Sequence, residues 1–207
     1  MGTKRVGLAR TQALLENLKR EIDLSTATTL KNAQLTVSEE SATYGAGAIS
    51  TEVAPSTFIQ NVGGDIVTTI QLDLTGLKKK SDVGDVIGLD GVAGAYLLQF
   101  LSQKQGILYK VEMSCIELPT GTNVLKDFDL IANSSATLEH DSDAASGGTS
   151  IFAAGGDFAL GTTIQNLAVT QPTNEHYIYL CEGATSTNAQ VFTAGKLVIK
   201  LYGRASF

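Results

Sequence analysis

Hydrophobic and polar residues alternate along most of the chain with a period of two. Ile66, Thr68, Ile70, Leu72 and Leu74 stand against Val67, Thr69, Gln71 and Asp73. Tyr109, Val111, Met113 and Cys115 stand against Lys110, Glu112 and Ser114, and Leu197, Ile199 and Leu201 against Lys196, Val198, Lys200 and Tyr202. Successive side chains of a strand point to opposite faces, so this alternation predicts strands with one face on a core. Tyr177, Tyr179 and Cys181 alternate in the same way with His176, Ile178 and Leu180, although there both faces are largely apolar. Shorter strands are expected at Thr57–Gln60, Asp85–Leu89, Ala95–Leu101, Phe128–Ala132, Ser150–Ala153, Phe158–Leu160 and Thr163–Val169. Ala95–Leu101 fits a helical turn equally well. Turn signals separate the runs at Gly63-Gly64, Asp90-Gly91, Pro119-Thr120-Gly121, Gly147-Gly148, Gly155-Gly156 and Pro172-Thr173-Asn174. Many short strands at this spacing predict a mostly β body, either a jelly roll or a β-sandwich.

The beginning of the chain is of another kind. Leu8, Leu14, Leu15, Leu18 and Ile22 fall at near-helical spacing, and Glu16 with Arg20, like Lys19 with Asp23, stand four apart. The pattern predicts an N-terminal amphipathic helix of about four turns. The weakly patterned stretch that follows, ending in Tyr44-Gly45-Ala46-Gly47, reads as a linker whose glycine pair forms a flexible hinge. The expected division is therefore a helical arm and linker over 1–47 and a β body over 48–207.

Charge sharpens that division. The chain carries a net charge of −6, yet Met1–Glu21 holds Lys4, Arg5, Arg10, Lys19 and Arg20 against two glutamates, a net of +3. The acidic total argues against nucleic acid as a partner. Charged residues make up 17% of the sequence, below the usual quarter, and Thr, Ser, Gly, Asn and Gln fill the gap. Such a surface suits a β protein that packs against neighbours. No apolar run approaches a membrane span, and no signal-peptide core follows the basic start, so a soluble protein made in a cytosol is expected. Val6 stands where a myristoylation motif has Ser or Thr, and that reading is set aside.

Reactive chemistry is sparse. His140, Asp141, Ser142 and Asp143 share one loop, where neighbouring side chains diverge; a working triad is assembled across a fold. His176 opens a strand beside Glu175 and reads as a tip or interface residue. There is no nucleophile elbow, phosphate loop or zincin motif. Asp82, Asp85 and Asp90 miss calcium-loop spacing, while Asp127 with Asp129 and Asp141 with Asp143 are carboxylate pairs that solvation explains best. Cys115 and Cys181 read as buried thiols, a disulfide between them being a matter of distance. Lys78-Lys79-Lys80 reads as a solvated tip that discourages edge pairing, or as a contact for an acidic partner. The expectation is a protein that is not an enzyme, with neither metal nor cofactor.

Several stretches carry a resemblance: Phe58 to Thr69 (FIQNVGGDIVTT), Asp73-Leu74-Thr75-Gly76-Leu77, Asp85-Val86-Ile87-Gly88, Glu112 to Glu117 with Pro119-Thr120-Gly121, Thr193 to Gly203, and in the arm Val6 to Gln12 with Glu16 to Glu21. In these the chain resembles a family of small structural proteins encoded by marine tailed phages. The resemblance spans most of the chain and implies a virion component, with no catalytic residue to carry over. A capsid cement or decoration protein fits the division into arm and body. Lys4, Arg5 and Arg10 would then pair with acidic capsid surface, while Leu14, Leu15, Leu18 and Ile22 anchor the arm on the major capsid protein. A homotrimer on the capsid surface, assembled in the host cytoplasm, is expected. The alternative is a receptor- or glycan-binding module of the head or a fibre.

Overall fold

The computed structural model describes residues 35–38, 42–51, 53–62, 64–80, 82–121, 126–185 and 189–205. The chain divides into two compact units, Met1–Thr36 and Val37–Phe207. The first lies almost wholly outside the described residues, and with it the predicted helix and Lys4, Arg5, Arg10, Leu14, Leu15, Leu18 and Ile22.

The second unit is mostly β. Its strands are β1 (Leu35–Ser38, which crosses the unit boundary), β2 (Ser56–Val62), β3 (Asp65–Asp73), β4 (Lys78–Lys79), β5 (Tyr96–Gln99), β6 (Ile107–Gly121), β7 (Phe128–Asn133), β8 (Thr149–Ala153), β9 (Thr163–Asn166), β10 (Tyr177–Glu182) and β11 (Gln190–Arg204). They form two antiparallel sheets. The larger runs β1-β2-β3-β11-β6-β9, with β4 added to one end of β11; the smaller runs β5-β10-β7-β8. One helical turn, α1 (Ser102–Gln105), follows β5, so Ala95–Leu101 resolves as a strand that leads into a helical turn.

The predicted alternation is what binds the sheets. Ile70 and Leu72 of β3, Val111, Met113 and Cys115 of β6, and Leu197, Ile199 and Leu201 of β11 point into one core. From the other sheet Leu98, Phe128, Leu130, Phe152, Ile178 and Leu180 meet them. Each such side chain taken out of water contributes roughly 1.5–3 kcal/mol. The doubly apolar β10 has a specific cause. Ile178 and Leu180 enter the main core, whereas Tyr179 and Cys181 face a second cluster with Val86, Ala95, Ile131 and Ala144. The smaller sheet is thus covered on both sides, and the Tyr179 hydroxyl donates to Ser135 O at 2.6 Å.

Several expectations are corrected. Tyr109 does not share the inner face of β6: it is 46% exposed and Leu108 takes the buried place. The pairing steps from Lys110 opposite Tyr202 to Leu108 opposite Gly203, a bulge that turns Tyr109 outward. Pro119-Thr120-Gly121 is not a turn, because β6 continues through it. The missing proline N–H is accommodated at a further register shift, where Gly195 adopts φ 139° and a Cβ would lie 2.9 Å from Pro119 Cα. Asp85–Leu89 makes only single bridges, to Asp143, Cys181 and Lys78. Phe158–Leu160 is not a strand; Phe158 is buried in the core and Leu160 exposed.

Gly45-Ala46-Gly47 is not a hinge. Gly45 N–H donates to Tyr96 O at 2.9 Å and Gly47 N–H to Gly94 O at 3.0 Å, and Gly47 O accepts from Leu89 N–H. A Cβ on Gly45 would stand 1.8 Å from Gly94 O, so glycine is there to let two backbones touch.

Candidate functional site: a lysine clamp and an outward sheet face

Three consecutive lysines organise one end of the body. β4 pairs with Gln190 and Val191 of β11, and the strand alternation sends Lys79 inward while Lys78 and Lys80 point out. The expected solvated tip is overturned at its centre. Lys79 Nζ lies 2.8 Å from Glu182 Oε2, with the two side chains 2% and 1% exposed. Glu182 closes β10; its N–H donates to Asp85 O and its carbonyl accepts from Gly84 N–H. On either side, Lys78 pairs with Asp90 at 2.8 Å and Lys80 with Asp141. The lysines therefore tie β4 to three separate segments, each through a carboxylate of the same chain.

Burial dominates the electrostatics beneath the clamp. Desolvation raises the Glu182 carboxyl; Lys79 opposes that shift and nearby Asp85 adds to it. Its Oε1 is buried without a hydrogen-bond partner, as is Asp127 Oδ1. The backbone of Gly183 makes room for the latter, since a Cβ there would lie 2.3 Å from Asp127 Oδ1 and 3.0 Å from Asp129 Oδ1. The structure thus brings Asp127 and Asp129 together. Desolvation pushes Asp129 up to about 6 against the pull of Ala154 N–H, and the charge of Asp127 adds to the rise. Asp127 is raised for the same first reason. Among the described residues no three His, Cys, Asp or Glu side chains converge as a metal-binding group.

The other carboxylates separate. Asp141 goes to Lys80, whereas Asp143 Oδ1 accepts from Ala145 N–H and Ser146 N–H in its own turn. Asp85 Oδ2 accepts from Asp82 N–H, and Lys78 holds the Asp90 carboxyl below its usual range. His140 Nδ1 faces Asp90 at 3.5 Å, and Ser142 Oγ accepts from Glu139 N–H, so the loop His, Asp and Ser serve different contacts. His176 is partly buried, its Nδ1 without a partner. Both cysteines are free and buried; desolvation raises both thiols, that of Cys181 strongly.

The outward face of the larger sheet is the second feature. The registers align Phe58, Thr69, Lys200 and Glu112 in one row, and Gln60, Val67, Tyr202 and Lys110 in the next. Lys110 Nζ lies 3.8 Å from the Tyr202 ring centre and 2.9 Å from Glu112 Oε1, and the Tyr202 hydroxyl donates to Glu112 Oε2 at 2.5 Å. Lys110 and then Tyr202 hold the Glu112 carboxyl below its usual range. Burial, then Glu112, push the Tyr202 hydroxyl up to about 12. Tyr109, turned out by its bulge, stands beside Tyr202 with ring centres 6.3 Å apart. Towards the other end of the face Val53, Ser56, Gln71, Asp73, Ile116 and Lys196 line a cleft of about 140 Å³. Lys196 bridges Glu117 at 2.8 Å and Asp73 at 3.9 Å along its rim. The array can seat a surface by stacking, charge and hydrogen bonding.

From sequence alone the lysine run takes other roles, a solvated tip or a contact for an acidic partner, and the outward face takes none. The Tyr202–Lys110–Glu112 group needs the β6–β11 register, and the Lys79 partner lies 103 residues away. Only the polar side of each alternating run pointed towards the first. Comparison with family models, with curated proteins and with solved structures returns no match.

Proposed function

We propose that this chain is a structural protein of a phage particle, a cement or decoration protein that stabilises the capsid lattice by binding the major capsid protein. The observation that carries the proposal is the outward face of the larger sheet. It is broad and hydrogen-bonded, and its polar and aromatic groups are held in place by their strand neighbours, which suits the seating of another protein. The sequence resemblance points to a virion, and the basic N-terminal segment, opposite in charge to the rest, supplies a second means of attachment. In this reading the two sheets form a β-sandwich, of which the jelly roll is one variant, and Lys4, Arg5, Arg10, Leu14, Leu15, Leu18 and Ile22 grip the capsid as part of a homo-oligomer. The test is to add the full chain, and a chain lacking residues 1–24, to undecorated heads and to count copies by quantitative mass spectrometry. Lattice-scale occupancy lost on deletion is expected. Full occupancy by the shortened chain would remove the arm from the proposal, and no binding by either would remove the proposal itself.

Tyr109 and Tyr202 favour a second reading, a receptor- or glycan-binding module of the head or a fibre, because paired rings beside a charged pair can stack a sugar. Location at the tail or spikes, with saturation transfer from a glycan to these rings, would select it.

A further inference from the structure

We propose that β9 is the seam of a dimer: the larger sheet continues from one copy of this chain into a second through antiparallel pairing of their β9 strands. A sheet edge presents unpaired N–H and C=O groups, and proteins that stay single blunt it with charges, prolines or a covering segment. β9 ends the path of the larger sheet. Its register with β6 sets Ile164 against Met113 and Asn166 against Val111, and Cys115 N–H donates to Thr162 O. By the alternation of an antiparallel ladder, Ile164 and Asn166 turn their backbone groups to β6, while those of Thr163 and Gln165 face away.

Among the described residues nothing blunts this edge. From Phe158 to Asn174 the sequence carries no charged residue, and the proline of that stretch, Pro172, lies outside the strand. Thr163 and Gln165 are exposed. Leu160 and Leu167, at either end of the strand, are 64% and 68% exposed. Gly161 N–H donates to Cys115 O, and Ile116, next along β6, is itself exposed.

Charge decides the occupant. Two copies of a chain with net charge −6 repel one another over most of their surface. Along an uncharged edge they meet without like charges, and nothing there attracts a charged partner in preference. The pleat limits the register. Pairing Gln165 with Gln165 of the second copy, and Thr163 with Leu167, keeps outward side chains on one face and lets the two Gln165 residues exchange both backbone hydrogen bonds. The two-fold axis passes through Gln165, so the contact is the same on both molecules.

The experiment is sedimentation equilibrium of the full chain and of two variants. Gln165→Pro removes the N–H at the axis without touching a bond to β6, and Gln165→Lys sets two like charges directly opposite. Wild type is expected at dimer mass at about 100 µM, with both variants at least about tenfold weaker in self-association. Unchanged far-UV circular dichroism and melting of Gln165→Lys show that its fold is intact. A monomeric or trimeric wild type overturns the proposal, as does a Gln165→Lys variant that dimerises as well as wild type. The proposal does not depend on a capsid role: heads that bind a monomer would sink the seam and leave that role standing.

Discussion

Replacing Lys79 with methionine keeps the length of the buried stem and removes the charge that faces Glu182. At 2.8 Å the pair attracts with about 6 kcal/mol at an effective dielectric of about 20. Removing both ions from water costs several kcal/mol each, so the intact pair adds little net stability. The single variant differs, because Glu182 keeps its desolvation cost, has Asp85 nearby and loses its counter-charge. Removing one partner of a buried pair typically costs about 3–5 kcal/mol, and that loss is expected at pH 7.5. The sign with pH follows from the same group. Glu182 is raised in the folded state, and more so without Lys79, so the native variant binds more protons than the unfolded chain. Its deficit should therefore shrink as pH falls towards 5, by up to about 1.4 kcal/mol per pH unit in the window between the folded and unfolded values. The double variant Lys79→Met with Glu182→Leu should recover most of the loss at pH 7.5. Urea unfolding followed by circular dichroism suits a chain with no tryptophan. A Lys79→Met loss under about 1 kcal/mol, or one that grows towards acid pH, would refute the account.

Asp129→Asn should stabilise the protein at pH 7.5 by about 1 kcal/mol, discounted for partial exposure. The asparagine oxygen still accepts from Ala154 N–H, and the gain should begin to shrink as pH falls below about 6, where the folded carboxyl takes up its proton, and be gone near pH 4, where the unfolded carboxyl is protonated too. Urea midpoints at the two pH values check it, and a loss at both would contradict it. Gly45→Ala should cost about 3 kcal/mol or more, since its Cβ would fall 1.8 Å from Gly94 O, whereas Gly156→Ala, with open space around it, should stay within about 0.5 kcal/mol. Thermal melting of the two side by side separates close backbone approach from a general intolerance of side chains.

The strands that were legible in the sequence are those whose two faces meet different surroundings. β3 and β11 alternate because one side meets the core, and β10 is apolar throughout because it meets two clusters. The outward turn of Tyr109 and the passage of β6 through Pro119 depend on bulges against β11, and a bulge is a property of the pair. The glycines at 45 and 47 were visible, but whether a glycine bends freely or admits a neighbouring backbone is decided by residues 94–96. Lys78-Lys79-Lys80 was conspicuous as charge. The burial of its middle member depends on the end of β10, far along the chain. Asp127 and Asp129 were noticed as a pair, while the desolvation that raises both comes from the elements packed around them.

The position of β11 in the larger sheet has a consequence for biosynthesis. It lies between β3 and β6 and also holds β4, yet it is translated after all three. Asp73 meets Lys196 across about 120 residues of chain, so closing that loop is slow compared with any local hairpin. Until β11 leaves the ribosome, the nascent polypeptide carries two sticky half-sheets with no strand between them. A chaperone that shields β3 and β6 should therefore raise the yield of native protein most when translation is slowed just upstream of Gln190.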